Sequence, residues 1–284
     1  MIIDFHTHTF PDKIAERAVD SLSHASRTRP FSDGTVGGLI RRMEEAGIDR
    51  SVILPVATSP SQVIKVNDSS ARINEEYGEA GLISFGCMHP DFPDYRSELA
   101  RFEALGLRGV KLHPVYQDVA LNDIRNLRII DRAAELGLMV ITHMGYDVGY
   151  PGVKLCTPAM AREVIDNIGD FVFILAHMGG WKQWEEVPKF LADTSCYLDT
   201  AFSTGRMVHR EDLDEIQFSE DMLDESGFME IYRAFGSERI LFGTDSPWSD
   251  AKSEMDFIRS LPLSEDEKDD ILGGNARRLL SSLR

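Results

Sequence analysis

His6 and His8 stand two residues apart at the end of the run Met1-Ile2-Ile3-Asp4-Phe5-His6. Side chains on a strand alternate between faces, so Asp4, His6 and His8 are expected to share one. The same kind of ending recurs along the chain. Lys111 and His113 share a face opposite Val110 and Leu112, and further runs end at His143, His177 and Asp245. Neutral imidazole and carboxylate are natural ligands for zinc and similar divalent ions. Three histidines with one aspartate would leave a coordination position open for water, which suits a catalytic site. Each piece alone has a plain alternative. An HxH pair can be a polar strand edge, His143 or His177 a hydrogen-bonded core histidine, Asp245 a turn residue beside Ser246-Pro247, and Lys111 the partner of a nearby acid. Their joint occurrence at strand tips favours one shared site.

Such tips meet only if the strands are brought together. Short apolar runs at 2–6, 51–55, 82–88, 109–113, 139–143, 171–177, 197–201 and 240–245 alternate with amphipathic segments. Continuous apolar runs are what parallel strands covered by helices require. Helical patterns at 35–46, 95–105 and 123–136 stop at Gly47, Gly106 and Gly137, and Thr157-Pro158 supplies an N-cap with proline behind it. Strand followed by helix, repeated along the chain, predicts an α/β fold, a closed (β/α)8 TIM barrel with its active site at the C-terminal strand ends. An open doubly wound sheet is the runner-up; its Rossmann form is disfavoured because no GxGxxG follows a strand. A single barrel domain is expected over 1–284, with long connections at about 12–34 and 202–227.

The 284 residues are 43% hydrophobic and 27% charged, enough to bury a substantial core. Lys and Arg number 30 against 47 Asp and Glu, a formal net charge of −17. That field repels phosphate backbones and anionic lipid, so the expected partner is a small-molecule substrate and neither nucleic acid nor membrane. Cys87, Cys156 and Cys196 contain no CxxC pair, which fits a reducing compartment rather than a disulfide framework. With no basic leader region and no apolar run of about 18 residues, the expected location is the cytoplasm. A homodimer is compatible with the sequence.

His6-Thr7-His8, Gly109-Val110-Lys111-Leu112-His113-Pro114, Thr142-His143, Ala176-His177-Met178-Gly179-Gly180, Gly243-Thr244-Asp245 and the late Gly274-Asn275-Ala276 together resemble the amidohydrolase superfamily, in its amidohydrolase-2 branch. That branch holds TIM-barrel metal-dependent hydrolases and decarboxylases related to aminocarboxymuconate-semialdehyde decarboxylase. The resemblance covers essentially the whole chain. It implies that His6, His8, His143 and Asp245 hold a divalent metal, zinc first and manganese as the alternative, as one ion or two. It implies that His177 either polarises the bound water or substrate or binds a second metal. Lys111 would be a carboxylated bridge between metals or an ammonium for a substrate carboxylate, with His113 beside it.

The implied reaction is hydrolysis of a C–N or C–O bond in an amide, lactone or ester by metal-activated water. Asp245 would carry the proton, and His177 would stabilise charge on the attacked carbonyl. The alternative is non-oxidative decarboxylation of an aromatic or unsaturated carboxylic acid, with Lys111, His113 and Arg206 neutralising the acid. A second alternative, a metal-binding barrel without catalysis, is disfavoured by the intact ligand set. Trp181 is expected to wall the substrate pocket, with Trp184 as wall or packing, and Cys87 and His89 to sit near the mouth. The acidic stretch 211–225 lacks EF-hand spacing and reads as the solvated face of a helical lid, with Leu213, Ile216, Met222 and Leu223 packing downward.

Overall fold

A computed structural model describes residues 1–213, 218 and 221–282. Its strands are β1 (Ile3–Thr7), β2 (Arg50–Ile53), β3 (Leu82–Ser84, continued past Phe85 by Gly86–Cys87), β4 (Gly109–Leu112), β5 (Met139–Thr142), β6 (Phe173–Leu175), β7 (Tyr197–Asp199) and β8 (Ile240–Leu241). Each pairs in parallel with its neighbours in chain order. Phe85 N donates to Ile53 O at 2.9 Å and carries β3 across its break. Phe5 N donates to Phe242 O and Asp245 N to His6 O, both at 2.8 Å, so β1 and β8 meet and the sheet closes as a TIM barrel. Asp4 seals the same seam, accepting from Thr244 N at 3.0 Å and Thr244 Oγ1 at 2.6 Å. Its carboxylate is therefore part of the barrel closure and not of the histidine cluster. The pairing of β1 with β2 also shifts register between Asp4 and Thr7, which interrupts simple period-two alternation.

Alternation along the other strands divides the core in two. Val52, Phe85, Met139, Ile141, Ile174 and Leu241 form an inner cluster, against which Ala276, Leu279 and Leu280 of the C-terminal helix pack. Ile53, Val110, Leu112, Val140, Phe173, Leu175 and Leu198 belong to the outer cluster shared with the helices. Helices Val36–Ala46, Tyr95–Ala104, Ile124–Glu135 and Pro158–Ile168 lie where the sequence places them, and Gly47, Gly106 and Gly137 all take positive φ.

The two long connections behave differently from plain loops. The first contains a helix, Asp12–Ser26, whose buried side chains are Ala15, Val19, Ser23 and Ser26. Two of those four are serines, so the apolar stripe is too thin to show as a periodic pattern. Its continuation then pairs with the second connection: Arg29 N donates to Val208 O at 2.8 Å, and Arg210 N to Arg27 O at 3.0 Å. The expected helical lid is not seen among the described residues. Residues 211–213 form a turn, 221–224 are irregular, and the helix begins at Glu225. Leu223 is buried as expected, whereas Ile216 lies outside the described residues. The three cysteines are free and buried. Among the described residues, no helix is long and apolar enough to cross a membrane.

Candidate metal centre and its surroundings

The apolar strands end where their polar residues begin, so the C-terminal rim gathers ionisable groups in an otherwise dry interior. His6 Nδ1 donates to Asp199 Oδ2 at 2.8 Å, and His8 Nδ1 donates to the Leu54 carbonyl at 2.8 Å. In the neutral rings both Nε2 atoms therefore carry lone pairs. Those atoms lie 3.2 Å apart, and Asp245 Oδ1 sits 3.3 Å from His6 Nε2 and 3.0 Å from His8 Nε2. Three acceptors converging on one point repel each other unless a cation lies between them. The donor set is therefore chemically suited to a divalent ion, and Asp199 orients the His6 ring so that its Nε2 faces that point.

Asp199 is fully buried and is pinned from behind by the His177 N–H at 2.9 Å and the Ala201 N–H at 3.1 Å. Burial opposes ionisation of Asp245, and only a proton on the facing His8, His6 or His177 ring, in the place a metal would take, draws its carboxyl down again. With either cation in place it is a carboxylate, ready to accept a proton. Lys111 Nζ lies 3.2 Å from His6 Nε2 and is buried. Burial draws this ammonium down to about 8, against the opposing pull of Asp199 and Asp245. Among the described residues, no carboxylate lies within ion-pairing distance of it.

His143 does not join the trio directly. Its Nε2 faces the Tyr146 carbonyl at 3.2 Å, which turns Nδ1 toward His177 Nε2 at 2.9 Å. His177 Nδ1 donates to the Ala201 carbonyl at 2.8 Å, so two lone pairs face each other here as well. This second convergence accommodates a shared proton or a further cation, 5.2 Å between ring centres from His6. His177 and Asp245 take φ of 60° and 61°, in the left-handed region. A non-glycine residue there costs on the order of 1 kcal/mol or more, and such strain concentrates at functional sites.

His113 also reaches the rim and stacks on His143 with centroids 4.2 Å apart. Trp181 is 1% exposed and packs on Phe202, and its indole N–H finds no acceptor among the described residues. Its backbone is threaded against Gly145, where an added Cβ would come within 2.1 Å of Trp181 N and φ is +86°. Trp184 is half-buried, and its Nε1 donates to the His177 carbonyl at 3.1 Å, so it braces the strained turn. His89 and Cys87 are buried, and Arg206 is exposed on its loop.

Sequence reasoning missed Asp199 and Asp147. Asp199 left a trace, an acid in the apolar run Tyr197-Leu198-Asp199-Thr200; Asp147 lies in an irregular loop and left none. It missed Glu254 too, a buried carboxyl that accepts from Thr204 Oγ1. Burial pushes Glu254 up to about 8 from an ordinary 4.5. A raised acid favours the folded state below its unfolded pKa, and that advantage disappears as pH climbs to about 8. We expect Glu254→Gln to flatten this part of the stability–pH curve between 4.5 and about 8, a difference of a few kcal/mol. Urea unfolding of both proteins across that range checks it; parallel curves would contradict the buried-acid account.

A family model described as Amidohydrolase matches residues 3–281. Among curated proteins, none matches. Solved structures share the fold over nearly full length. An uncharacterised TIM-barrel protein from Bordetella bronchiseptica superposes with a TM-score of 0.75 at 19% identity, covering 99% of this chain and 98% of that one. A 5-carboxyvanillate decarboxylase from Sphingomonas paucimobilis gives 0.68 at 16%, with coverage of 99% and 98%. A dihydroxybenzoic acid decarboxylase from a Polaromonas species, with bound manganese and the inhibitor 2-nitroresorcinol, gives 0.69 at 14%, with coverage of 99% and 96%.

Proposed function

This chain belongs to the amidohydrolase family, and from that premise we propose that it is a divalent-metal-dependent decarboxylase of a small aromatic or unsaturated carboxylic acid. The observation that carries this reading is Lys111, a buried ammonium with no carboxylate within ion-pairing distance among the described residues, beside a cluster of metal-type donors. A buried cation needs an anion, and a substrate carboxylate supplies it. The solved decarboxylases of the same fold are consistent with that chemistry.

His6, His8 and Asp245 would hold the metal, with His143 and His177 as the adjacent donor pair. Two imidazoles and a carboxylate suit manganese as well as zinc. When bound, the ion supplies Lewis acidity toward substrate oxygens. Asp245, ionised at neutral pH, takes the proton that the substrate's hydroxyl or a water surrenders on binding. It returns that proton to the carbon that loses its carboxylate. The C–C electron pair stays on that carbon and forms the new C–H bond, and CO2 leaves. Lys111 orients the departing carboxylate, and a proton shared between His177 Nε2 and His143 Nδ1 would let that pair stabilise the neighbouring oxygen.

Hydrolysis of an amide, lactone or ester is the second reading, favoured by the convergence of His6, His8 and Asp245, since an ion held by three protein donors would leave a position for water. The two part on product. With manganese or zinc, we expect CO2 evolution from hydroxybenzoates such as 2,6-dihydroxybenzoate, and its loss on chelation. Lys111→Met should lower kcat/KM for such acids by about 100-fold. Turnover confined to uncharged lactones, esters or amides, untouched by Lys111→Met, would replace decarboxylation with hydrolysis.

A further inference from the structure

We propose that His113 is a neutral hydrogen-bond donor to the substrate, presenting Nε2–H from a single fixed tautomer rather than a lone pair to a metal. This deepens the function proposed above and depends on it for the identity of the acceptor, an oxygen of the bound carboxylic acid.

The residue is built to hold one geometry. Its backbone N–H donates to Gln117 Oε1 at 3.1 Å, and its carbonyl accepts from Gln117 N at 3.0 Å. Gln117 Nε2 in turn donates to the carbonyls of Ala57 at 3.0 Å and Met88 at 2.7 Å, so one buried amide ties together the segments that follow β2, β3 and β4. The imidazole lies between Tyr116, centroids 3.8 Å apart, and His143, at 4.2 Å, each within 16° of parallel. Ring rotation is thereby blocked from both faces.

The proton is placed by the backbone. His113 caps the short helix Pro114–Gln117, with Nδ1 accepting from Tyr116 N at 3.3 Å. An acceptor Nδ1 means that the neutral ring carries its hydrogen on Nε2. His6 and His8 are the reverse case, since their Nδ1 atoms donate and leave Nε2 free for a metal. Neutral imidazole polarising a substrate oxygen is an established catalytic device.

Among the described residues that Nε2–H has no hydrogen-bond acceptor. Asp147 Oδ2 stands 3.7 Å away, beyond hydrogen-bonding distance, although His113 is only 6% exposed. Asp147 is held from its own side by the Gly149 N–H at 2.8 Å, and burial pushes its carboxyl up to about 7. It therefore does little to draw a second proton onto the ring. Donor atoms of His113, His143 and Asp147 do lie within 4.8 Å of one another. A cation there would force the hydrogen to Nδ1, directly against the Tyr116 N–H. An oxygen acceptor needs no such rearrangement.

The test uses the manganese-free, zinc-loaded full chain with 15N-labelled histidine. The His113 ring is expected to show the Nε2–H neutral pattern, and its Nε2–H resonance to shift when 2,6-dihydroxybenzoate is added. An Nδ1–H or metal-bound pattern overturns the proposal, as does a resonance that saturating acid leaves unmoved. His113→Asn keeps a good helix cap, but its side chain ends short of the position from which Nε2–H donates. We expect kcat/KM on the best substrate found to fall about 100-fold, whereas a purely structural role predicts parental activity. Should no carboxylic acid be turned over, the function proposed above fails by itself, and the resonance shift still decides whether His113 donates to a bound carboxylate.

Discussion

Replacing Asp245 with asparagine is expected to leave a folded protein whose turnover falls by about 1,000-fold, the usual loss when a proton carrier is removed. Asn keeps the size of the side chain and one oxygen for the donor cluster, but it cannot accept and return a proton. Asp245 is the right residue to replace because its carboxylate lies 3.0 Å from His8 Nε2 and 3.3 Å from His6 Nε2, at the centre of the donor cluster. Bound metal must be measured in parallel, since a weaker ligand also lowers occupancy. The expected pattern is a lower kcat at saturating metal with an unchanged thermal midpoint in the metal-free proteins. Full turnover by metal-loaded Asp245→Asn would remove Asp245 from proton transfer under either reaction.

The second large effect is on stability. His6→Ala is expected to cost about 3 kcal/mol or more in metal-free protein, because it strands a buried charge. Asp199 and His6 are both fully buried, and among the described residues the 2.8 Å bond from His6 Nδ1 is the one side-chain hydrogen bond of that carboxylate. The backbone N–H groups of His177 and Ala201 remain to Asp199 and limit the loss. Pairing the change with Asp199→Asn removes the stranded charge, so the double variant should be more stable than His6→Ala alone. Urea unfolding with chelator present measures both. A His6→Ala cost below about 1 kcal/mol, or no recovery in the double variant, would mean that the pair contributes little to the fold.

The legible part of this site was the part written into strands. His6, His8, Lys111, His113, His143, His177 and Asp245 interrupt or end apolar runs, and a polar residue where burial is otherwise unbroken stands out without coordinates. Barrel topology then dictates that strand ends meet at one rim. The register shift in β1 escaped this logic, because a bulge depends on the neighbouring strand. It sends Asp4 to the barrel seam instead of the cluster.

Local sequence by itself determined the strand–helix alternation, the glycine helix stops and the roster of rim histidines, since each depends on residues within a few positions of one another. Only the tertiary structure decided what each imidazole nitrogen faces. Asp199 meets His6 across 193 residues, and Asp147 approaches His113 from a loop with no periodic pattern. Whether a histidine offers a lone pair or a proton depends on its other nitrogen's partner. For His6 that partner is a distant carboxylate, for His8 and His177 distant carbonyls, and for His113 a backbone N–H three residues on. Chain folding chooses most of those partners, so the chemistry of the rim is a property of the assembled barrel.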